Sequence, residues 1–303
     1  MGAHWKGDPL TETTPATLMA RLRLDGAAVA DIDSGAAVDP VLSPRPYLHP
    51  VRTLAQTVVT EVLPEDHLHH LGVGITIADV SGTSFWGGRT FTRDRGSVLL
   101  DNHGRQEHVA WTVESDAGRT AVVAWTDTEG TELLREERAT SAHGIDSTTW
   151  ALDLNSTVRN TSGRTLTIGS PATNGRPGAA YGGFFWRAPM SETPPRCFGS
   201  EPGGEEALHE SRAEWLALAG TTPEGAPWTL VFFQAGAERD PWFLRAAEYP
   251  GVGTSLAWDR VLEVPVDGAV ERRTVTLVVD GHPGTAAVAA LVATARERVG
   301  APA

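Results

Sequence analysis

One cysteine, Cys197, stands in a chain of 303 residues. That scarcity excludes an internal disulfide framework and fits a reducing compartment. Cys197 has no paired signal and reads as a structural or incidental thiol. No apolar run approaches the roughly 20 residues that a membrane helix needs. Positive charge is short as well: 25 Lys and Arg against 38 Asp and Glu leave a net charge of −13, where a nucleic-acid footprint would need a basic stripe. The opening MGAHWKGDPLTETTP lacks the apolar core of a secretory signal. These absences predict a cytoplasmic protein with neither a membrane nor a nucleic-acid partner. Familiar catalytic signatures are missing too. There is no GxSxG elbow, no P-loop, no HExxH, and only a two-glycine fragment, Gly72-Val73-Gly74, of a dinucleotide loop.

Helical periodicity is almost absent, and short strands fill the chain. Residues 1–15, rich in Thr and Pro, read as a flexible leader, and 16–300 as a single domain. Leu18 to Leu24 alternates apolar and polar, Asp25-Gly26 is a hairpin dipeptide, and Ala28 to Ile32 returns. Further strands are expected at 47–49, 57–61, 72–80, 97–100, 107–114, 120–126, 150–158, 165–168, 214–219, 228–234, 255–264 and 272–279. Glu132 to Arg138 has helix-forming composition, but its β surroundings favour an exposed strand. Thr173 to Gly204, with many Gly and Pro and no sustained period, reads as a long ordered loop, because its aromatics argue against disorder. Ala286 to Val299 is the one clear helix. The pattern predicts an all-β protein, a large antiparallel β-sandwich with a C-terminal helix.

Chemistry concentrates between Arg45 and Gly88, where His49, Glu65, Asp66, His67, His69 and His70 lie close together. On a strand, His67 and His69 would share one face and His70 would take the other. Such a pair suits metal ligation, acid–base work or plain hydrogen bonding to a turn. A second constellation, Asp101 to His108, offers His103 beside Asn102 and Arg105. A third joins Asn174-Gly175-Arg176 to Tyr181-Gly182-Gly183-Phe184-Phe185-Trp186-Arg187, where aromatic faces and guanidinium donors suit sugar rings. A hydrophobic plug under the loop is the plainer alternative.

The runs RPYLHPVRT, PEDHLHHLGVGI, DVSGTSFWGG, DNHGRQEH and AYGGFFWRAP resemble the bacterial family labelled PmoA or "methane oxygenase", over about Pro44 to Gly281. More loosely, the order of parts is similar to the galactose-mutarotase-like supersandwich proteins, which bind sugars through His, Asp and Glu on a sheet face. The late segment LAWDRVLEVPVDGAVERRTVTLVV carries that second similarity. Where an aldose epimerase would place its base glutamate this chain has Ala257, with Asp259 and Glu263 nearby.

Together these readings predict a carbohydrate-active protein doing epimerase- or lyase-like acid–base chemistry on a sugar or oxidised sugar. The catalytic candidates are His67, His69 and His103, oriented by Glu65 and Asp66. The substrate-binding candidates are His49, Arg52, His70, Trp86, Arg105, Arg176, Tyr181, Trp186 and Arg187. No cofactor is expected, with Zn or Fe as the alternative. Two other classes stay open, a non-catalytic sugar-binding protein and the metal-dependent oxygenase that the family label implies.

Overall fold

The structure, a computed structural model, describes residues 17–300; the expected leader lies outside them. Two antiparallel sheets dominate. One has seven strands, in the order Leu18–Leu24, Ala27–Asp33, Tyr47–Val51, Val73–Ile77, Gly182–Arg187, Gly251–Thr254 and Trp242–Arg245. The other has eight, in the order Arg196–Gly199, Leu216–Thr221, Pro227–Gln234, Ala269–Asp280, Thr149–Asn160, Glu132–Gly144, Gly118–Thr126 and Arg105–Glu114. A three-stranded and a two-stranded sheet complete the described strands. No helix among the described residues is long and apolar enough to cross a membrane.

Alternation explains which side chains meet between the sheets. Val73, Ile75 and Ile77 on one sheet, and Leu152, Leu154, Leu230 and Phe232 on the other, join one apolar cluster. Phe184 and Trp186 pack on Phe232 across the gap. Five tryptophans, Trp125, Trp150, Trp186, Trp228 and Trp242, are fully enclosed. The outer face of the eight-stranded sheet is covered by the helix Thr285–Arg298, whose Val288, Val292 and Ala295 form a single stripe against Val231, Phe233 and Leu277.

Several expectations change. Residues 57–61 form only an isolated bridge, Arg52 to Val58, and no strand. The 255–264 segment is strand only at Leu262–Val264. The presumed loop from Thr173 to Gly204 contains two strands, and Gly182–Arg187 is central to its sheet, paired with Val73–Ile77 and Gly251–Thr254. Glycines flanking a short apolar run hide this strand from periodicity. Glu132–Gly144 is a strand, as its surroundings favour, but not an exposed one: Leu134, Glu136 and Arg138 all point into the core.

Burying that charge requires satisfying it. Glu136, wholly enclosed, accepts from the Trp125 indole N–H at 2.9 Å, the Ser156 hydroxyl at 2.7 Å and two nitrogens of Arg138 at 2.8 and 2.7 Å. Arg138 also donates to the Pro46 carbonyl at 2.9 Å and to Gln106 Oε1 at 2.8 Å, while Gln106 donates to the Ile75 carbonyl at 2.9 Å. The network therefore ties one sheet to the other. Glu136→Ala leaves a buried guanidinium unpaired, and it is expected to lower unfolding free energy by about 3–5 kcal/mol in denaturant titrations. A loss under about 1 kcal/mol would show that the pair contributes little to stability.

Candidate functional site

Residues 64–70 do not extend. Pro64 starts two successive turns, closed by His67 N–H to the Pro64 carbonyl at 3.0 Å and His70 N–H to the His67 carbonyl at 2.9 Å. The expected split, with His67 and His69 on one strand face and His70 opposite, is therefore corrected. His67 stacks on His70 with centroids 4.6 Å apart and planes 11° from parallel, and His69 meets both edge-on at 5.7 and 4.8 Å. Three imidazoles in seven residues share one cluster because the turns fold the chain back on itself.

The cluster rests on the outer face of the seven-stranded sheet. In Gly182–Arg187, Phe184 and Trp186 face the core, so Phe185 and Arg187 face outward. Gly74 and Gly253 pair on either side of Phe185, and Gly251 pairs with Arg187. These glycines leave room for rings. A Cβ at Gly251 would stand 2.7 Å from the Tyr249 ring, and one at Gly253 only 3.2 Å from Phe185. His70, 1% exposed, thus packs on Phe185 at 4.8 Å, Tyr249 at 5.1 Å and Trp86 at 5.9 Å.

Arg187 anchors this assembly. Fully buried, it donates to both Asp66 oxygens at 2.9 and 3.0 Å, to Glu61 at 3.2 Å and to His70 Nδ1 at 3.3 Å. Burial pushes the Asp66 carboxyl upward, but hydrogen bonds from Arg187 and His67 outweigh it and hold it below its ordinary value. Asp66 therefore stays ionised and can only accept. The proton in its 2.8 Å bond with His67 sits on His67 Nδ1, which leaves Nε2 as that ring's acceptor. Burial, reinforced by Arg45 and the neighbouring imidazole of His67, pushes His69 down to about 3. His70 is driven well below its ordinary value, by burial first and then by the adjacent rings. Both are neutral near pH 7, and His70 carries its hydrogen on Nε2 because Nδ1 receives Arg187.

Arg45, which sequence reasoning used only as a boundary, is the hidden partner. Buried, it donates to the backbone carbonyls of His69 at 2.6 Å and Trp86 at 3.2 Å, and so ties together the two segments that carry these rings. Tyr249 was also missed, and nothing in the local sequence AEYPG marks it.

The other expected residues divide. Trp86 and Tyr181 lie together at 4.3 Å beside the histidines. His103 reaches the cluster's rim: its Nε2 donates to the Gly88 carbonyl at 2.7 Å, and a Cβ on Gly88 would stand 3.0 Å from His69 Nδ1. Glu65 is exposed and makes no ion pair among the described residues. Arg176 is exposed on the loop before Tyr181. Trp186 is corrected outright, since it lies in the inter-sheet core with its N–H on the Val59 carbonyl at 2.9 Å. Arg187 is committed to carboxylates rather than left for substrate. His49 turns to the Thr60 hydroxyl at 2.9 Å, and burial lowers it to about 4. Arg52 sits beside His49 rather than in the cluster. Arg105 lies on the edge strand of the opposite sheet and pairs with Glu107 at 3.4 Å.

Metal ligation fares poorly on geometry. The Nδ1 atoms of His67 and His70 already face Asp66 and Arg187. Among the described residues no group of three or more His, Cys, Asp or Glu side chains is placed to hold a metal ion.

The described residues thus define an antiparallel β-sandwich with a histidine–aromatic cluster on the outer face of its seven-stranded sheet. The chain belongs to the family described as "family of unknown function (DUF6807)", whose profile matches residues 20–293. No curated protein matches it. Among solved structures it is similar to the alpha-galactosidase from Lactobacillus brevis, at TM-score 0.47 and 10% identity over 95% of this chain and 42% of that one. It is also similar to a heparinase III gene product, at TM-score 0.24 and 11% identity over 60% of this chain and 22% of that one. The chain spans less than half the length of either.

The lowered histidines set a pH dependence. His49, His69 and His70 stay neutral in the folded protein below pH 6.5, where the unfolded chain takes up their protons. Stability therefore falls as pH drops from 6.5 toward about 4, by up to about 1.4 kcal/mol per pH unit for each histidine. Denaturation midpoints across that range are expected to show it, with a shallower slope in His70→Gln. A flat profile from pH 7 to 4.5 would refute the buried neutral assignment.

Proposed function

We propose that this protein is a carbohydrate-active enzyme that moves protons on a sugar or oxidised sugar, with His67 as the base. One observation carries the reading: His67, only half-buried, has no partner on Nε2 among the described residues, while an ionised Asp66, clamped by Arg187, holds its Nδ1–H. A carboxylate in that position keeps an imidazole in one tautomer and stabilises the cation formed when it takes a proton. His69, neutral beside it, fits the role of oxyanion donor. A neutral imidazole donates a hydrogen bond to a developing oxyanion without being acidic enough to lose its proton to it. The proton beside a sugar carbonyl would pass to His67 Nε2, and the electron pair would spread onto the carbonyl oxygen against His69. Return of a proton to the other face gives epimerisation, and loss of a neighbouring substituent gives elimination. Tyr181, packed on the buried Trp86, lines the adjoining cleft with an aromatic ring of the kind sugar rings use.

Deuterium uptake from D₂O into a panel of neutral hexoses and hexuronic acids, followed by NMR, tests the proposal. Wild type is expected to exchange or convert at least one of them, and His67→Gln to slow that reaction by about 10²–10⁴-fold with its fold intact. Asp66→Asn is expected to slow it as well. Binding without exchange or conversion would make the protein a sugar-binding module. Absence of binding to any of the panel would sink the carbohydrate reading.

A further inference from the structure

A cleft opens beside the histidine cluster. At its narrow inner end Trp86 and Tyr181 face Asp79, Arg89 and Asn174. Ala78, Asp79, Thr90, Phe91 and Asn174 continue from there into an open part of about 230 Å³ that Arg93 also lines.

The charge in this cleft runs against that of the chain. The whole chain carries −13, yet Arg89 and Arg93 stand here with no carboxylate partner among the described residues. Among the described residues Arg89 donates to the Ser97 carbonyl alone, at 2.6 and 3.2 Å. Among the described residues Arg93 donates to the Thr173 carbonyl alone, at 3.0 Å, and its Nη1 lies 3.6 Å from the Cβ position of Gly175, against the loop that carries Arg176. Each guanidinium has five N–H donors in a planar fork, so both keep donors uncommitted. Arg176 makes no side-chain hydrogen bond or ion pair among the described residues. The acidic member of the lining is Asp79, which accepts from Gly82 N–H at 2.7 Å and Asn174 at 3.4 Å. Asp94, on the same hairpin, already faces Arg95 at 3.7 Å.

A second observation points inward. Trp86 is 4% exposed, and its indole N–H is buried without an acceptor. Trp125, Trp150, Trp186 and Trp242 donate to Glu136, Arg52, Val59 and Ala213, whereas Trp228, enclosed in the inter-sheet core, also lacks an acceptor; of these two orphans it is Trp86 that lines the cleft. A buried donor left unsatisfied costs on the order of 1–3 kcal/mol in a folded protein. An orphan at the closed end of an arginine-lined cleft is a group that a ligand oxygen would satisfy.

We infer that this cleft selects an anionic sugar, one bearing a carboxylate or a sulfate. The anionic group lies between Arg89 and Arg93, with Arg176 on the adjoining loop adding positive charge, hydroxyls meet Asp79 and Asn174, and an oxygen accepts from Trp86. Planar guanidinium forks match both carboxylate and sulfate oxygens. This assignment rests on the carbohydrate reading of the adjoining histidines and narrows its substrate class.

Calorimetric titration of the full chain tests it, with glucuronate, galacturonate and glucose 6-sulfate set against glucose and galactose. At low salt, at least one anionic sugar is expected to bind tenfold or more tightly than its neutral counterpart. That advantage is expected to shrink at 0.5 M NaCl, where exposed charges are screened. Arg93→Gln combined with Arg176→Gln is expected to cost the anionic sugar about tenfold and the neutral one less than twofold. An arginine that only clips the loop would move both alike, or neither. Trp86→Phe, which keeps a ring and removes the N–H, is expected to weaken binding several-fold. Carboxylated sugars alone, or the sulfated one alone, would each support the inference and identify the anion. Neutral sugars binding as tightly as anionic ones would overturn it while leaving the carbohydrate reading in place. No binding by either class would overturn both.

Discussion

The candidate site depends on one buried cation. Arg187 is fully enclosed on the outer face of a central strand, and its countercharges come from the segment before the histidine turns, Glu61, and from within them, Asp66. A guanidinium out of water must be paired, because leaving it bare costs several kcal/mol. The turn at 64–70 is therefore held to the sheet by electrostatic necessity as much as by packing. The same contact sets the proton positions. Asp66 is kept ionised, His67 must donate from Nδ1, and His70 must accept there. Sheet, loop and imidazole tautomers form one linked arrangement.

The sheet face permits this closeness because it is partly bare. Gly74 and Gly253 flank Phe185, and Gly251 adjoins Arg187. Tyr249, Trp86 and the histidines settle into the space that side chains would fill. Arg45 completes the anchoring from the other side, giving its donors to the His69 and Trp86 carbonyls. The rigid base thus comes from residues that make no claim to chemistry, and the reactive groups sit on loops above it. This division between scaffold and loop is common in functional sites.

Much of the fold was legible from local pattern. Strand alternation marked Leu18–Leu24 and Thr149–Asn160, β-rich composition marked Gly118–Thr126, and Asp25-Gly26, both with positive φ, marked the first hairpin. The alanine-rich end marked the helix. What failed did so where the chain's local character differs from its place in the sheet. Gly182–Arg187 sits among glycines and prolines and read as a loop, yet it is a central strand. Glu132–Gly144 looks solvent-exposed because it is charged, but Glu136 and Arg138 neutralise each other inside the sandwich.

For the site, residue types alone located the histidine-rich stretch, the aromatic pair near Trp86 and the presence of Arg187. Composition and periodicity also determined the all-β class and the terminal helix, since both are written in neighbours two or four residues apart. Only the tertiary structure decided that His67 stacks on His70, that Trp186 faces the core while Phe185 faces the histidines, and that Tyr249 and Arg45 belong to the site. Those choices turn on which distant groups compete for one buried cation and one bare sheet face. Asp66 and Arg187 are 121 residues apart in the chain, and no local spacing records that they meet.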